Sequence, residues 1–175
     1  AFPQSEIALV DAGTARPALV NTVPLLSGFA PFRRGTNWLH PAIGPGGETF
    51  LHQGRMPGGS SELNGMVVSR GVAADYAPWA AVAGPDWSWD ACLAAFRGLE
   101  HGPRGGSAWH GASGPLHVRP VQPFGPLPGA FLAAAAEAGF PIVDDVNAGE
   151  GARFGLTDLN VLHGRRHSAR RAFLS

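Results

Sequence analysis

The chain has 175 residues, no formal net charge at pH 7 and one cysteine. This length suits one domain with its own core and is too short for two domains of ordinary size. A neutral chain has no electrostatic preference for nucleic acid or an anionic membrane surface, and Cys92 alone excludes an intrachain disulfide and a cysteine-based zinc site. No apolar run approaches the ~20 residues of a membrane span.

The first part of the chain predicts one strand and little other regular structure. Residues 6–11 are an apolar run that ends at Asp11 and is followed by Ala12 and Gly13, a pattern that indicates a buried strand and then a turn. Residues 16–50 are punctuated by proline and glycine with scattered aromatic side chains, which favours an irregular covering segment. A glycine-rich run follows at residues 54–67.

The second part of the chain predicts helices joined by loops. Tyr76 and Trp79 stand at helical spacing within residues 72–82, and Ser88 is a good N-cap for a helix that extends to Leu99. An alanine-rich helix is predicted over residues 127–138, and a further helix begins within residues 167–174. Residues 116–119 alternate as in a short strand, whereas residues 101–114 and 144–164 have the composition of loops.

The glycine-rich run is the part of the chain that most directly indicates a function. It begins at Gly54, holds the adjacent Gly58 and Gly59 and two serines, and continues into an apolar stretch. Backbone without a Cβ can approach a flat or anionic ligand closely. If Ser60 or Ser61 caps a short helix, free N–H groups point at that ligand. The run is not a P-loop, since no Lys-Ser/Thr follows the glycines, and it lacks the Gly-x-Ser-x-Gly of a nucleophile elbow.

Several short motifs occur in the order found in the glucose-methanol-choline (GMC) oxidoreductases, and the chain resembles that family over nearly its whole length. The glycine-rich run resembles the family's flavin-contacting signature, and Val10-Asp11-Ala12-Gly13 resembles the end of its second Rossmann strand. The other matches, in family order, are Asn37-Trp38, Gly71, Asp75-Tyr76 with Trp79, Trp87-Ser88, Glu100, His110-Gly111, Gly114-Pro115-Leu116, Asp145 with Asn147, and residues 166–174. The resemblance implies an α/β fold that is part of a Rossmann-like FAD-binding domain, with an irregular cofactor-covering segment and helices that lead into the substrate domain.

The resemblance also implies which residues contact FAD. Asp11 would accept hydrogen bonds from the adenosine ribose, at a position where the family usually carries Glu, and Trp38 would lie along the cofactor. Leu63 stands where some members carry a histidine bonded to the flavin, so the FAD would be held noncovalently. The flavin side would be wrapped by Gly54, Arg55, Met56, Gly58, Gly59 and Ser60, and its reactive edge would face Asn64, Gly65, Met66 and Val67.

Two parts of the family pattern are expected outside this chain. The family's Gly-x-Gly-x-x-Gly loop would precede residue 1, and its catalytic histidine would lie far beyond residue 175. We therefore expect a piece of a longer protein that is inactive by itself and that holds neither a catalytic residue nor a metal ligand. Residues 1–75 would be a partial FAD-binding domain, and residues 76–175 would be a helical and irregular continuation toward the substrate side.

The function implied by the resemblance is oxidation of an alcohol CH–OH group, by hydride transfer to FAD, in a bacterial and cytoplasmic enzyme. The alcohol, the electron acceptor and the choice between oxidase and dehydrogenase are not encoded in this segment. Two alternatives stay open. One is a non-catalytic remnant that acts as an interaction module. The other is an NAD-type Rossmann enzyme, in which the glycine-rich run has no role.

The clustered histidines and arginines are expected to be structural or solvated. His163 and His167 are four residues apart, as two metal ligands on a helix could be, but Gly164 and two arginines between them favour a solvated basic loop. His110 is expected to be structural. An exposed helix face is predicted for the four clustered arginines, Arg165, Arg166, Arg170 and Arg171.

Overall fold

The computed structural model describes residues 6–14, 18–32 and 35–174. Within them the helices are α1 (Leu19–Thr22), α2 (Ala73–Ala83), α3 (Trp89–Leu99), α4 (Leu127–Glu137) and α5 (Ala169–Phe173), with 3₁₀ helices at Pro24–Phe32, Gly59–Glu62 and Pro85–Trp87. The strands are β1 (Asn37–Gly44), β2 (Gly47–Gly54), β3 (Val67–Val68), β4 (Glu100–His101), β5 (Leu116–His117), β6 (Arg119–Pro120), β7 (Asp158–Leu159), β8 (Val161–Leu162) and β9 (Arg165–Arg166).

The chain divides into two compact units. The first unit combines Ala1–Gly65 with Ser168–Ser175, and the second is Met66–His167. The first therefore contains the β1–β2 hairpin, the glycine-rich run as far as Gly65, and α5. The division at residue 75 that the sequence suggested stays a prediction.

The prediction of an irregular segment over residues 16–50 was wrong for much of that range. Strands β1 and β2 pair as an antiparallel hairpin, in register from Asn37 opposite Gly54 to Gly44 opposite Gly47. Pro41 interrupts the apolar pattern, and most side chains on both strands are exposed, so no alternation of apolar and polar residues marks the hairpin in the sequence. Residues 16, 17, 33 and 34 lie outside the described part of the chain.

The prediction of a buried strand at residues 6–11 was also wrong. No described strand pairs with this segment, and its side chains are exposed, with Ile7 at 85% and Val10 at 92%. A strand is defined by the neighbour that completes its hydrogen bonds, so an apolar run alone does not make one. Asp11 nevertheless lies at the end of the run, as expected, followed by a bend.

The second unit confirms the predicted helices. Helix α2 ends at Gly84, where φ is 97°, and α3 starts after Ser88, whose Oγ accepts a hydrogen bond from the Ala91 nitrogen at 3.4 Å. Aromatic side chains join the two helices, since the rings of Tyr76 and Trp89 lie 5.2 Å apart. Helix α4 confirms the alanine-rich prediction.

Short strands complete the second unit. Strand β7 lies between β3 and β6 in an antiparallel sheet, β4 pairs with β5 in parallel, and β8 pairs with β9. Strands β7 and β8 fall inside residues 144–164, which were predicted as irregular, because strands of two residues carry no periodic signal. None of the helices in the described ranges is both long enough and apolar enough to cross a bilayer.

Candidate functional site

The glycine-rich run is folded by its own hydroxyl groups. Gly58, with φ 94°, is the N-cap residue of the 3₁₀ helix, so the prediction that Ser60 or Ser61 caps it was wrong. Both serines lie inside the helix instead. The Gly54 nitrogen donates to Ser60 Oγ at 3.1 Å, and Ser61 Oγ donates to the Gly58 carbonyl oxygen at 2.5 Å. The two serine side chains therefore stabilise the loop by bonding to its own backbone.

Two glycines of the run have different surroundings. A Cβ added at Gly54 would overlap the Gly59 carbonyl group and lie 2.7 Å from the Ser60 nitrogen, which leaves no room for a side chain. A Cβ added at Gly59 would meet no atom within 4 Å. Gly54 is therefore needed for the internal packing of the loop, whereas Gly59 leaves open space in front of the backbone.

A cleft of about 360 Å³ in the first unit collects several of the predicted residues. Those that line it are Asp11, Gly54, Met56, Gly58 and Gly59. Helix α5 and the residue after it also line the cleft, through Ala169, Arg170, Phe173 and Leu174. The volume falls near the lower end of the range for small-molecule sites.

Asp11 offers a hydrogen-bond acceptor at this cleft. The Gly13 nitrogen donates to Asp11 Oδ1 at 2.7 Å and holds the exposed carboxylate in a turn. Asp11 Oδ2 has no hydrogen-bond partner among the described residues. A carboxylate with one fixed and one open oxygen suits a ligand that donates hydroxyl groups.

Arg55 and Trp38 form a neighbouring cationic feature of the first unit. The Arg55 guanidinium carbon lies 4.5 Å from the centroid of the Trp38 ring, a cation–π geometry. The Arg55 nitrogen donates to the Thr36 carbonyl oxygen at 2.8 Å. Arg55 Nε is buried and has no hydrogen-bond partner in the described structure. A buried donor of this kind is costly to leave unpaired, which indicates a ligand acceptor.

Trp38, Arg55 and Ser60 are not among the residues that line the cleft, and neither are the last four predicted contact residues. Asn64 and Gly65 are exposed residues of the first unit, and the Asn64 nitrogen donates to the Ser60 carbonyl oxygen at 3.0 Å. Met66, which is 3% exposed, and Val67, which is 57% exposed, belong to the second unit. Val67 pairs with Leu159 in the antiparallel sheet.

The second unit contains a buried network of charged side chains around His110. Its Nδ1 lies 2.7 Å from Glu100 Oε1 and its Nε2 lies 2.7 Å from Asp145 Oδ2. Arg70 forms an ion pair with Glu100, and burial is the main cause that lowers the pKa of this guanidinium, against the opposing effect of Asp145 and Asp158. His110 is 2% exposed, which agrees with a structural role.

The same network has the ligand types of a metal site. One ligand atom from each of His110, Asp145 and Asp158 lies within 4.8 Å of the others. However, Arg104 Nε donates to Asp158 Oδ1 at 3.3 Å, and Arg70 lies within the cluster. Because the guanidinium groups of Arg70 and Arg104 already pair with Glu100 and Asp158, the arrangement is that of an internal ion-pair network.

The solvated basic loop predicted near residues 163–167 was wrong for two of its residues. Arg166 is 1% exposed and His167 is 7% exposed. The β8–β9 hairpin places Arg166 opposite Val161, and the His167 nitrogen donates to the Asn160 carbonyl oxygen at 2.8 Å. Pairing with β8 therefore buries residues whose charge alone predicted exposure.

One contact near the cleft, which joins Glu62 to Ser168 and Arg170, was not predicted from the sequence. Ser168 and Arg170 each donate a hydrogen bond to Glu62 Oε1, across 106 and 108 positions of the chain. Glu62 lies inside the glycine-rich run, but nothing in its neighbourhood indicates a partner near the other end of the chain. Only pairs that vary together among relatives could have revealed this contact from sequence.

Comparisons with known proteins agree with this fold. The sequence model of the family described as GMC oxidoreductase matches residues 9–175. The oxygen-dependent choline dehydrogenase of Rhizobium rhizogenes is 40% identical over 122 residues, which are 70% of this chain and 22% of that protein. The crystal structure of pyridoxine 4-oxidase from Mesorbium loti has a TM-score of 0.90 at 31% identity, over 99% of this chain and 35% of that chain. An FAD-dependent oxidoreductase from Chaetomium thermophilum has a TM-score of 0.75 at 27% identity, over 93% of this chain and 30% of its own.

The fold and these comparisons thus define the class of protein, an oxidoreductase, of which this chain is a part. The chain belongs to the GMC oxidoreductase family, and the family and the α/β fold predicted from the sequence are confirmed. The chain spans about a fifth of the length of the curated relative from Rhizobium rhizogenes, 22%.

Proposed function

We propose that the chain is part of the FAD-binding region of an oxidoreductase that oxidises the CH–OH group of an alcohol. The observation that carries the proposal is the cleft of the first unit, where Asp11 and the open backbone of Gly59 face the same space. Membership of the GMC oxidoreductase family supports it. When bound, FAD supplies the group that accepts hydride from the substrate carbon.

The residues present fit part of such a cofactor. Asp11 has an open carboxylate oxygen for ribose hydroxyl donors, and the buried Arg55 Nε lacks an acceptor. The cleft of about 360 Å³ takes only one portion of a dinucleotide, so other segments must hold the rest. Leu63 is 6% exposed and has no group that can bond covalently to a flavin, which supports noncovalent binding.

The residues of this chain would bind and orient the cofactor. In the proposal, Asp11 fixes the ribose, and Trp38 lies along the cofactor and holds the Arg55 guanidinium in place. The glycine loop keeps Cβ atoms away from the cofactor. The loop residues Gly54, Met56, Gly58 and Ser60 shape that backbone, and Asn64, Gly65, Met66 and Val67 stay predicted contacts of the flavin edge. We assign no acid–base residue to this chain.

The substrate class in the proposal is a small alcohol. The relatives whose names indicate such substrates are a choline dehydrogenase and a pyridoxine 4-oxidase. The zero net charge supports a partner that is a small molecule and not nucleic acid. We also propose a bacterial, cytoplasmic protein, and we leave the electron acceptor unassigned.

A second candidate function is an interaction module without catalysis. Large apolar side chains of the first unit are exposed, among them Ile7 at 85%, Val10 at 92% and Ile43 at 87%. Such surfaces usually contact another polypeptide. In the first candidate this polypeptide is the rest of the enzyme, and in the second it is a separate protein.

Alcohol-dependent reduction of a redox dye distinguishes the two. The protein is expressed from its own gene, purified, and mixed with choline, pyridoxine and simple primary alcohols. The enzyme proposal predicts that bound flavin is bleached by one of these alcohols without oxygen and that dye reduction follows. A protein with no flavin absorbance and no alcohol-dependent reduction contradicts it and favours the interaction module.

A further inference from the structure

A buried carboxylate connects the glycine loop to the last helix of the first unit. Glu62 is 2% exposed, and its Oε1 accepts hydrogen bonds from Ser168 Oγ at 2.6 Å and Arg170 Nε at 3.2 Å. The Arg170 bond joins two charged groups, which makes it stronger than a bond between neutral groups. Ser168 is also the N-cap of α5, since the Arg171 nitrogen donates to its Oγ at 3.4 Å.

Other contacts join the same two segments. The Ala169 nitrogen donates to Ser61 Oγ at 3.0 Å. A Cβ added at Gly58 would lie 3.0 Å from Arg170 Cβ and 3.2 Å from Glu62 Cγ, so the helix packs directly on the loop backbone. On the other side, Asn21 Nδ2 donates to the Glu62 carbonyl oxygen at 3.2 Å. Glu62 is therefore the residue at which three segments of the first unit meet.

The position of these segments decides the shape of the cleft. Gly58 and Gly59 line it from the loop, and Ala169 and Arg170 line it from α5. Glu62 itself is not among the residues that line the cleft. It can therefore affect a ligand only through the separation and orientation of the two walls, including the direction of the Arg170 side chain.

We propose that Glu62 is a positioning residue, which holds α5 and Arg170 against the glycine loop and so sets the width of the cleft. This proposal deepens the proposed function and rests on it for the identity of the ligand. Glutamine at position 62 has the shape of glutamate but lacks the charge that orients Arg170. It keeps an oxygen that can accept a hydrogen bond from Ser168. Glu62→Gln is therefore the informative change, and Glu62→Ala removes both bonds.

The test uses the protein expressed from its own gene, freed of FAD, and measures two quantities. The first is amide hydrogen exchange of residues 58–64, and the second is the dissociation constant for added FAD. For Glu62→Gln we expect faster exchange in this loop and unchanged exchange in residues 66–167. We also expect FAD affinity roughly tenfold weaker, the scale of one charged hydrogen bond that a displaced Arg170 no longer offers the ligand. The matched control is Glu48→Gln, which removes an exposed carboxylate from the turn side of the β1–β2 hairpin and should change neither quantity.

Three results would overturn the proposal. They are wild-type loop exchange in Glu62→Gln, faster exchange throughout both units, which indicates general destabilisation, and an equal effect of Glu48→Gln. If the wild-type protein binds no FAD, the proposed function fails, whereas loop exchange in Glu62→Gln still decides whether Glu62 positions the loop. If Glu62→Ala does not fold, Glu62→Gln supplies the result.

Discussion

Alanine at Gly54 should mainly lower the stability of the protein, whereas alanine at Gly59 should mainly weaken FAD binding. At Gly54 the added Cβ overlaps the Gly59 carbonyl group and lies 2.7 Å from the Ser60 nitrogen. At Gly59 it meets nothing within 4 Å, although φ is 53°. The two glycines belong to the same loop, so each variant is a control for the other.

The expected magnitudes follow from these surroundings. Overpacking costs about 1–3 kcal/mol, and the upper end applies at Gly54 because the opposing atoms are backbone and cannot rotate away. At Gly59 a left-handed alanine costs about 1–2 kcal/mol, partly offset by the lower entropy of its unfolded chain. The same methyl group enters the open space of the cleft, so we expect Gly59→Ala to weaken FAD binding several-fold.

Two measurements on one protein preparation give the answer. Urea unfolding of the FAD-free protein reports stability, and quenching of flavin fluorescence on titration reports FAD affinity. The expected result is a lower urea midpoint for Gly54→Ala than for Gly59→Ala, with reduced FAD affinity in Gly59→Ala and a smaller loss of stability than in Gly54→Ala. Wild-type stability in Gly54→Ala, or a Gly59→Ala protein that binds FAD normally, would refute the assignment of the two glycines.

Three further predictions concern single side chains. His110→Ala should destabilise the protein by about 3–5 kcal/mol in urea unfolding, because Glu100 and Asp145 both lose a buried partner; a change below 1 kcal/mol would contradict a structural role. Burial, then His101 and His163, lower the pKa of His117 below its ordinary 6.5, so the unfolded chain takes up the proton first and stability should fall as the pH drops through 6.5. His117→Gln should make stability depend less steeply on pH below pH 7. An unchanged pH dependence of stability would contradict the lowered pKa of His117. Asp11→Asn should weaken FAD binding about tenfold in fluorescence titration and leave the urea midpoint within about 1 kcal/mol, whereas unchanged affinity would exclude the ribose contact.

The helices were predictable because their signals are local. Ser88 caps α3 as its residue type predicts, and Gly84 in the left-handed region ends α2. The family was predictable from the order of the motifs, since the glycine-rich run and the Asp-Tyr-x-x-Trp motif are each short stretches of nearly consecutive residues. These features depend on neighbours within a few positions, which a single sequence contains.

The β1–β2 hairpin and the lack of a described strand at residues 6–11 were not predictable, because both depend on partners elsewhere in the chain. Strand pairing depends on partners, and residues 6–11 have none among the described strands. The β1–β2 hairpin has exposed side chains on both faces, so it lacks the alternation by which a half-buried strand is recognised.

The candidate site was predictable in part. Asp11, Gly58 and Gly59 do face one cleft, because a turn and a glycine loop fix their positions locally. The bonds from Ser168 and Arg170 to Glu62 span more than a hundred residues, and no local pattern indicates them. Burial of Arg166 was missed for the same reason, since its partner strand decides it.

FAD binding is tested most simply by releasing and quantifying flavin from the protein purified from its own gene. The protein is denatured, filtered, and the filtrate is assayed for FAD. We expect FAD in the filtrate in an amount comparable to the protein and none left on the polypeptide, because Leu63 cannot form a covalent bond to it. A filtrate without FAD, from a protein that also takes up none when FAD is added, would contradict the proposed FAD site.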